Sequence, residues 1–281
     1  MRPRVHPGDR KNMNIISALI WLRGSESKVI FAIRGIFYFF LRLIPKDTVV
    51  PVLMGKLKGK KWMLGAGLSA FWLGTYEYEK QVLFSRIIRE GTVVYDIGAH
   101  AGFHTLLASS LVGPKGKVFS FEPSARNIEY LRRHLKINRC DNVAVLEAAV
   151  AEGEGSAFLE EGQEYAVGLV GRLCAQGSLK VKTVSLDSLV LSGKIPPPQY
   201  MKIDVEGAEL RVLRGARKTL DTYSPVIFLS THGFDVHNQC RDFLIALNYS
   251  LEPMGGIRDI ASRMEIFAFR KPEDVRDSRN I

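Results

Sequence analysis

A glycine-rich turn that begins with an acid is the first feature of the sequence that could bind a ligand. Asp96, Gly98 and Gly102 fit the pattern DxGxxxG. Glycines allow a tight turn close to a ligand, and the amides that open the next helix favour a carboxylate or a phosphate. The spacing is not the GxGxxG of dinucleotide-binding loops, and its acid would repel a pyrophosphate but attract an ammonium group, directly or through water. We expect Ala99 and Thr105 to contact the same ligand, with Thr105 donating to a carboxylate.

A second acid, Glu122, follows the next apolar run, Lys117–Phe121. A carboxylate at this position is placed to accept hydrogen bonds from both hydroxyls of a ribose. Taken singly, the glycine turn fits any strand-to-helix connection, and Glu122 fits an acid at a helix N-terminus. Together they indicate a nucleoside ligand with an amino-acid-like group and no phosphate, and S-adenosylmethionine has those features. We expect Ala148, at the end of the third predicted strand, to contact it as well.

These residues follow strands in a regular alternation of strands and helices, which predicts an α/β fold. The ligands of a mostly parallel, doubly wound sheet bind at the carboxyl ends of its strands. We expect seven strands in this sheet, and a β-hairpin inserted between its third and fourth strands within residues 153–190. The predicted strands are Thr92–Ile97, Lys117–Phe121, Asn142–Ala148, Tyr200–Val205, Pro225–Thr231, Tyr249–Glu252 and Glu265–Phe269, and the predicted helices are Gly102–Leu111, Ser124–Asn138, Ala208–Thr222 and Val236–Leu247.

Five stretches of the chain resemble the FkbM family of class I S-adenosylmethionine-dependent methyltransferases. They are VVYDIGAHAGFHTLLAS, GKVFSFEPSARNIEYLRRHLKIN, VKTVSLDSL, YMKIDVEGAELRVLRGA and SPVIFLSTHG, in the family's order. The block at Lys202–Glu209 is highly specific. The resemblance implies a Rossmann-like fold, S-adenosylmethionine as cofactor, and methyl transfer to an oxygen, usually a hydroxyl of a sugar, glycolipid or other natural product.

Two residues depart from the family pattern, and one further element matches it. His100 stands where the family usually has asparagine, and Ser230 stands where an acid is common, so any role of that acid is absent or altered here. Tyr76–Glu79 (YEYE) resembles the family's YE element. We expect it either to close over the methionine end of the cofactor or to begin a solvated helix.

Acids and one histidine after the fourth and fifth predicted strands are candidates for the chemistry of methyl transfer. Removing a proton from an alcohol requires a general base, and an unperturbed histidine is half neutral at about pH 6.5. We therefore predict His232 as the base. We predict that Asp204 borders the sulfonium or orients the acceptor hydroxyl, and Glu206 is a third catalytic candidate. A helix N-terminal acid is the alternative for Glu209, and a helix-capping turn residue is the alternative for His232. Asp204, Glu206 and His232 are also ligand types for a divalent ion, but no spacing supports a metal site and we predict none.

The positive charge of the chain is concentrated near its beginning. The net charge is +10, and residues 1–61 contain 13 Lys and Arg against 3 Asp and Glu, whereas residues 62–281 are neutral. We expect a basic, partly helical extension at 1–61 and a methyltransferase domain at 62–281. The apolar segment 28–45 is interrupted by Arg34 and Arg42, and a spanning helix needs about 20 predominantly apolar residues.

Segment 28–45 has two interpretations. It forms either a basic helix that lies on an anionic membrane, or a helix that packs on the catalytic domain. Co-sedimentation with anionic liposomes at low salt distinguishes them. No small-residue cleavage pattern follows the segment, which disfavours a signal peptide.

The composition is 46% hydrophobic and 24% charged, which indicates a globular chain and excludes general disorder or a multi-span membrane protein. Cys140, Cys174 and Cys240 are too few and scattered for a disulfide framework, so we expect reduced, buried thiols. These features predict a cytoplasmic protein, either free or peripheral at the inner face of the membrane.

Two other functions stay open at this stage. The first is an RNA methyltransferase that uses the basic extension, including the cluster Lys56–Lys61. The neutral catalytic domain and the lack of an NPPY-type motif after the fourth strand make nucleic acid a weaker partner than a small-molecule or glycan hydroxyl. The second is a non-catalytic member of the fold that binds a membrane or a partner. The sequence does not specify the acceptor or the oligomeric state.

Overall fold

The structure is a computed structural model, and it describes residues 45, 47–161, 171–174, 179–254 and 264–270. By its internal contacts the chain divides into two units, Met1–Lys46 and Asp47–Ile281. The predicted N-terminal helix and its membrane contact fall on 28–45, and 28–44 lie outside the described residues. Of the helices in the described part, none is long and apolar enough to span a membrane.

Strands and helices alternate through most of the second unit. The strands are β1 (Val49–Pro51), β2 (Lys61–Met63), β3 (Val93–Ile97), β4 (Lys117–Phe121), β5 (Val143–Leu146), β6 (Ala149–Val150), β7 (Gly155–Glu161), β8 (Gly171–Cys174), β9 (Leu179–Val184), β10 (Tyr200–Ile203), β11 (Val226–Ser230), β12 (Ser250–Pro253) and β13 (Glu265–Phe269). The helices are α1 (Ser69–Leu73), α2 (Tyr78–Ile87), α3 (Phe103–Val112), α4 (Ala125–Asn138), α5 (Leu186–Leu191), α6 (Glu209–Gly215), α7 (Arg217–Tyr223) and α8 (Phe234–Ala246).

The main sheet has seven strands in the order β5-β4-β3-β10-β11-β13-β12. Strands β5, β4, β3, β10 and β11 are parallel, and β13 runs antiparallel to both β11 and β12. The central strands are apolar because both faces are covered, and Ile97, Met201 and Leu229 are fully buried. This order confirms the predicted α/β fold, and it brings the residues that follow β3, β4, β10 and β11 to one edge.

A second sheet confirms the predicted insertion, but it has four strands where we expect a two-stranded hairpin. Strands β7 and β9 pair antiparallel, and β8 and β6 extend them into the order β6-β9-β7-β8. The predicted strand Asn142–Ala148 is wrong at its end, since its pairing to β4 stops at Leu146. The chain then leaves the main sheet, and Ala149–Val150 pairs in parallel with β9.

The hairpin β1–β2 packs on α4 through Trp62. The indole stacks on the His134 ring at 3.9 Å between centroids. His134 accepts a hydrogen bond at Nε2 from the Met63 amide (3.0 Å) and donates from Nδ1 to the Ala101 carbonyl (2.7 Å). Burial lowers the pKa of His134 to about 4, which keeps the ring neutral for this double role. Because β2 begins at Lys61, it crosses the domain boundary that we expect between residues 61 and 62.

The cysteines follow the sequence expectation in part. Cys240 is buried, whereas Cys140 is only half-buried.

The predicted helix Ala208–Thr222 is wrong as a single helix, because α6 ends at Gly215 and α7 begins at Arg217. The break lies where Gly215 meets the backbone of the β6–β7 connection. A Cβ on Gly215 would lie 2.0 Å from the Ala151 carbonyl oxygen, so this close approach requires glycine.

We expect Gly215→Ala to lower the free energy of unfolding by about 1–3 kcal/mol, because the added methyl group overlaps the Ala151 carbonyl. Gly153→Ala is the matched control, since no atom lies within 4 Å of a Cβ placed there. Urea unfolding of both variants measures the difference. Equal stability of the two variants would contradict this account of the helix break.

Candidate active site

A cleft opens at the carboxyl edge of the main sheet. It contains about 1080 Å³ of empty space, with the open solvent at its mouth included. Its walls come from the turns after β3, β4, β5 and β10, from β7, and from the chain around α1. The lining residues include Phe71, Tyr76, Gly98, Ala99, His100, Glu122, Ala148, Leu159, Lys202, Asp204 and Glu206. Several residues predicted from separate parts of the sequence therefore share one cavity.

The glycine turn is shaped by close backbone contacts. Gly98 has a φ of 79°, and a Cβ there would lie 1.9 Å from the Asp204 carbonyl oxygen, so the ends of β3 and β10 approach without room for a side chain. Gly102 has a φ of 94°, and its missing Cβ makes room for Leu131 on α4. Gly102 is not among the cleft-lining residues, whereas Gly98 and Ala99 are. The second glycine therefore serves helix packing.

Asp96 and Thr105 lie behind the cleft wall and are not among its lining residues. Both are buried, the Thr105 hydroxyl donates to Asp96 Oδ2 (2.6 Å), and Lys202 Nζ lies 3.1 Å from Asp96 Oδ1. Lys202 also donates to the Gly98 carbonyl (2.7 Å). Asp96 and Thr105 thus support the glycine turn from behind, and the ligand contacts that we expect of them, for Asp96 directly or through water, stay predictions.

Lys202 is a cleft residue that the sequence analysis missed. Burial opposes its charge, but Asp96 and Asp204 outweigh that effect and raise the pKa of Lys202. The ammonium group is therefore charged, and it lies 3.9 Å from Asp204 Oδ2. The sequence does contain a signal for this role of Lys202. The lysine lies two residues before Asp204 on a strand predicted to be buried, and a buried lysine requires a charged partner.

Glu122 lines the cleft directly after β4 and is held by three hydrogen bonds. Its Oε1 accepts from the Ser124 amide (3.0 Å) and from Asn127 Nδ2 (3.2 Å), and its Oε2 accepts from the His100 amide (2.8 Å). Burial raises the pKa of Glu122, and these hydrogen bonds oppose the rise. A carboxylate offers about four acceptor positions, so one remains for a ligand hydroxyl.

His100 is the residue of the glycine turn that departs from the family pattern. It adopts a left-handed φ of 51°, a conformation that asparagine adopts more readily than most residues. Burial lowers the pKa of His100 to about 4, so its ring is neutral in the cleft. The interaction that matters for Glu122 comes from the His100 backbone amide, which either residue type supplies.

The three predicted catalytic residues come together beyond the end of β10. His232 Nε2 lies 3.3 Å from Glu206 Oε2 and 3.7 Å from Asp204 Oδ1. His232 Nδ1 donates to Glu209 Oε1 at 2.8 Å. The His232 side chain is 36% exposed, so its ring reaches solvent beside the cleft-lining acids.

A strained turn positions Glu206 next to His232. Glu206 has a φ of 53° and Gly207 has a φ of 97°, so two consecutive residues adopt left-handed conformations. Such a conformation costs a non-glycine residue about 1–3 kcal/mol and often accompanies functional sites. The turn follows directly from β10, and it places Asp204 and Glu206 on the same side of the sheet edge as His232.

The charges around His232 favour its protonated form. The hydrogen bond that His232 donates to Glu209 raises the pKa of His232 most, partial burial opposes the rise, and Glu206 and Asp204 add to it. Burial raises the pKa of Glu206, with Asp204 and Glu209 contributing, while His232 opposes the rise. Burial would also raise the pKa of Asp204, but Lys202 and other nearby cations outweigh it and hold the pKa low. The result is a basic imidazole beside an ionised carboxylate.

The side chains of Asp204, Glu206 and His232 are of the types that bind a divalent cation. One ligand atom from each of Asp204, Glu206 and His232 lies within 4.8 Å of the other two. The ion pairs of His232 with the two acids produce this spacing by themselves, so we assign no metal to the cluster.

The YE element lies on the other side of the cleft and is partly buried. Tyr76 lines the cavity, and Glu77 Oε2 lies 2.8 Å from Lys80 Nζ and 3.3 Å from His104 Nε2. Tyr78, by contrast, is 53% exposed. Tyr76 therefore belongs to the cleft wall, and the predicted closure of the element over the cofactor stays a prediction.

Lys80 also explains how the chain accommodates Ser230. Its Nζ donates to the Ser230 hydroxyl (2.8 Å) and lies 3.2 Å from Glu265 Oε1. Ser230 and Glu265 are direct partners across the β11–β13 pair. The carboxylate that the family pattern leads one to expect on β11 is therefore supplied by β13, which the sequence pattern did not reveal.

Comparison with known proteins gives a family match and two curated relatives. The methyltransferase FkbM domain matches residues 96–251, more than half of the chain. Hexuronic acid methyltransferase AglP of Haloferax volcanii is 32% identical over 147 residues, which cover 52% of this chain and 59% of that protein. Protein-L-isoaspartate O-methyltransferase of Methanothrix thermoacetophila is 37% identical over 59 residues, which cover 21% of this chain and 28% of that protein. The matched regions thus span less than two thirds of either relative.

Among solved structures, the methyltransferase FkbM from Methylobacillus flagellatus KT aligns with a TM-score of 0.46 and 16% identity. The alignment covers 71% of this chain and 52% of that one.

S-adenosylmethionine is the cofactor, and the described residues fit it. Glu122 keeps an acceptor position for a ribose hydroxyl, and the backbone of Gly98 and Ala99 borders the same cavity without a large side chain. The domain match covers the glycine turn, Glu122, Asp204 and His232, and the sheet has the predicted α/β order. The chain therefore belongs to the FkbM methyltransferase family.

Proposed function

We propose that this protein transfers a methyl group from S-adenosylmethionine to a hydroxyl oxygen of a sugar or of a related glycolipid or natural product. The observation that carries the proposal is His232, whose Nε2 lies beside the cleft-lining acids Asp204 and Glu206. A non-catalytic binding protein would not need a base at that position. The relative named as a hexuronic acid methyltransferase supports a sugar as the acceptor class.

In this mechanism Glu122 and the Gly98–Ala99 backbone hold the nucleoside of the cofactor. Bound S-adenosylmethionine supplies an activated methyl group on its sulfonium. An alcohol is a weak nucleophile until its proton is removed, so the base determines the chemistry that the protein itself contributes. His232 accepts the hydroxyl proton at Nε2, and the ionised Asp204 orients the acceptor. Glu206 provides a second carboxylate for the acceptor's hydroxyl groups.

The acceptor class is tested with methyl-labelled S-adenosylmethionine and a small set of sugars. D-glucuronic acid, D-galacturonic acid and D-glucose, free and as the terminal residues of oligosaccharides, separate a uronic acid requirement from a general sugar preference. We expect label on an ether oxygen of at least one of them. Label found only on RNA would instead favour an RNA methyltransferase, which depends on the basic segment 1–61.

We expect Glu122→Gln to weaken S-adenosylmethionine binding by about tenfold, because the amide replaces one acceptor oxygen in a buried, charge-assisted set. Isothermal titration calorimetry with the cofactor alone measures this, and thermal unfolding shows whether the variant is folded. Glu129→Gln is the control, since Glu129 lies on α4 with 70% of its side chain exposed. Equal affinities for the two variants would remove Glu122 from the cofactor site.

We expect His232→Ala to lower turnover at least tenfold while the affinity for S-adenosylmethionine stays near that of the parent protein. Asp235→Asn is the control, because Asp235 is exposed three residues further along at the start of α8. Initial rates with whichever of the three test sugars is methylated measure turnover. Calorimetry with S-adenosylmethionine measures cofactor affinity. Undiminished turnover in the alanine variant would exclude His232 as the base.

A further inference from the structure

Glu209 is a buried carboxylate whose ionic partner among the described residues is His232. It is fully buried at the first position of α6, and its Oε1 accepts from the Gly207 amide (2.9 Å) and from His232 Nδ1 (2.8 Å). Its Oε2 is buried without a hydrogen-bond partner in the described part of the chain. A buried charge is strongly destabilising unless it is paired, so the His232 contact is a major compensation for this carboxylate.

We propose that Glu209 is the positioning residue of the general base, and that it holds His232 with Nδ1 protonated and the Nε2 lone pair beside the cleft. This inference rests on the proposed function, in which His232 removes the acceptor proton. Glu209 does not itself touch the reacting atoms. It acts through the His232 ring.

The tautomer follows from the hydrogen bond. A carboxylate accepts hydrogen bonds, and the 2.8 Å bond between Nδ1 and Glu209 is shorter than the contacts of Nε2 with Glu206 (3.3 Å) and Asp204 (3.7 Å), so Nδ1 carries the proton. A neutral imidazole has one protonated nitrogen, and its lone pair is therefore at Nε2. Without Glu209, the acids beside Nε2 would draw the proton to that nitrogen, and part of the protein would present an N–H to the acceptor.

Glu209 also stabilises the imidazolium that forms when His232 takes the proton. The charged and titratable groups that face His232 are Glu209 on α6 and Asp204 and Glu206 in the turn after β10, with Lys202 beyond Asp204. A buried carboxylate at 2.8 Å acts in a lower dielectric than the two partly exposed acids. Loss of its charge therefore weakens the base more than loss of a single exposed acid.

A purely structural role for Glu209 makes different predictions. An acid at the first residue of α6 also interacts favourably with the helix N-terminus, and replacing it would lower stability without changing the state of the His232 ring. The tautomer and pKa of His232 therefore separate the two roles. Neither quantity requires a known acceptor.

The first test is long-range ¹H–¹⁵N NMR of ¹⁵N-histidine-labelled protein across about pH 5–9, with EDTA present and His232 assigned by His232→Ala. We expect Nδ1 protonation and a pKa above the ordinary value in the parent protein. Glu209→Gln should lower that pKa while its amide oxygen keeps Nδ1 protonated, and Glu209→Ala should mix the tautomers. Asp235→Asn should match the parent. An unchanged tautomer and pKa in both Glu209 variants would overturn the proposal.

The second test measures methyl transfer to D-glucuronic acid in the same buffers. Because His232 must be neutral to accept a proton, turnover should rise with pH through its raised pKa, and Glu209→Gln should move that rise to lower pH. Glu209→Ala should lose at least tenfold in turnover with cofactor affinity unchanged, and Glu209→Asp should recover part of it. The double variant with His232→Ala should be no slower than His232→Ala alone, because the two residues act as one unit.

The outcomes separate this inference from the function on which it rests. If His232→Ala is inactive and Glu209→Ala is as active as the parent, the positioning role fails and the base assignment stands. If His232→Ala is fully active, the base assignment fails, and so does the role of Glu209 in catalysis. If D-glucuronic acid is not methylated, the NMR result decides whether Glu209 controls the ring.

Discussion

The ion pair between Lys202 and Asp96 is the interaction on which the site depends. The two residues are direct partners in the β3–β10 pair, both are buried, and Lys202 also donates to the Gly98 carbonyl. Removing one partner of such a pair costs about 3–5 kcal/mol, because the other charge is left buried and unpaired. This contact joins the end of one central strand to the glycine turn of the other, so the glycine turn and Asp204 belong to a single buried charge network.

The charge network extends to His232 through Asp204. Lys202 keeps Asp204 ionised, and Asp204 together with Glu206 and Glu209 raises the proton affinity of His232. The backbone contributes as well, since the strained conformation of Glu206 brings a third carboxylate to the same imidazole. The buried Glu209 binds Nδ1 of this imidazole, while Nε2 faces the carboxylates of Glu206 and Asp204.

The contacts of Lys80 show how a buried cation is neutralised where the chain has a serine on β11. Lys80 pairs with Glu77 from its own helix region, with Ser230 on β11 and with Glu265 on β13. A serine at the β11 position leaves room for the carboxylate of the adjacent antiparallel strand. The positive charge is thus neutralised by a residue that is distant in sequence, and the local loss of an acid does not leave a buried cation unpaired.

Patterns along the chain are enough to predict the alternation of strands and helices, the inserted strands and the residues at the strand ends, because hydrophobic period and glycine spacing are local properties. They therefore indicate Gly98, Glu122, Asp204 and His232 without any knowledge of contacts. The folded chain was needed to show that Asp96 and Thr105 stand behind the cleft, that Lys202 lines it, and that Glu209 binds His232. These assignments depend on strand register and on distances between residues far apart in the chain, and a pattern along one sequence carries neither.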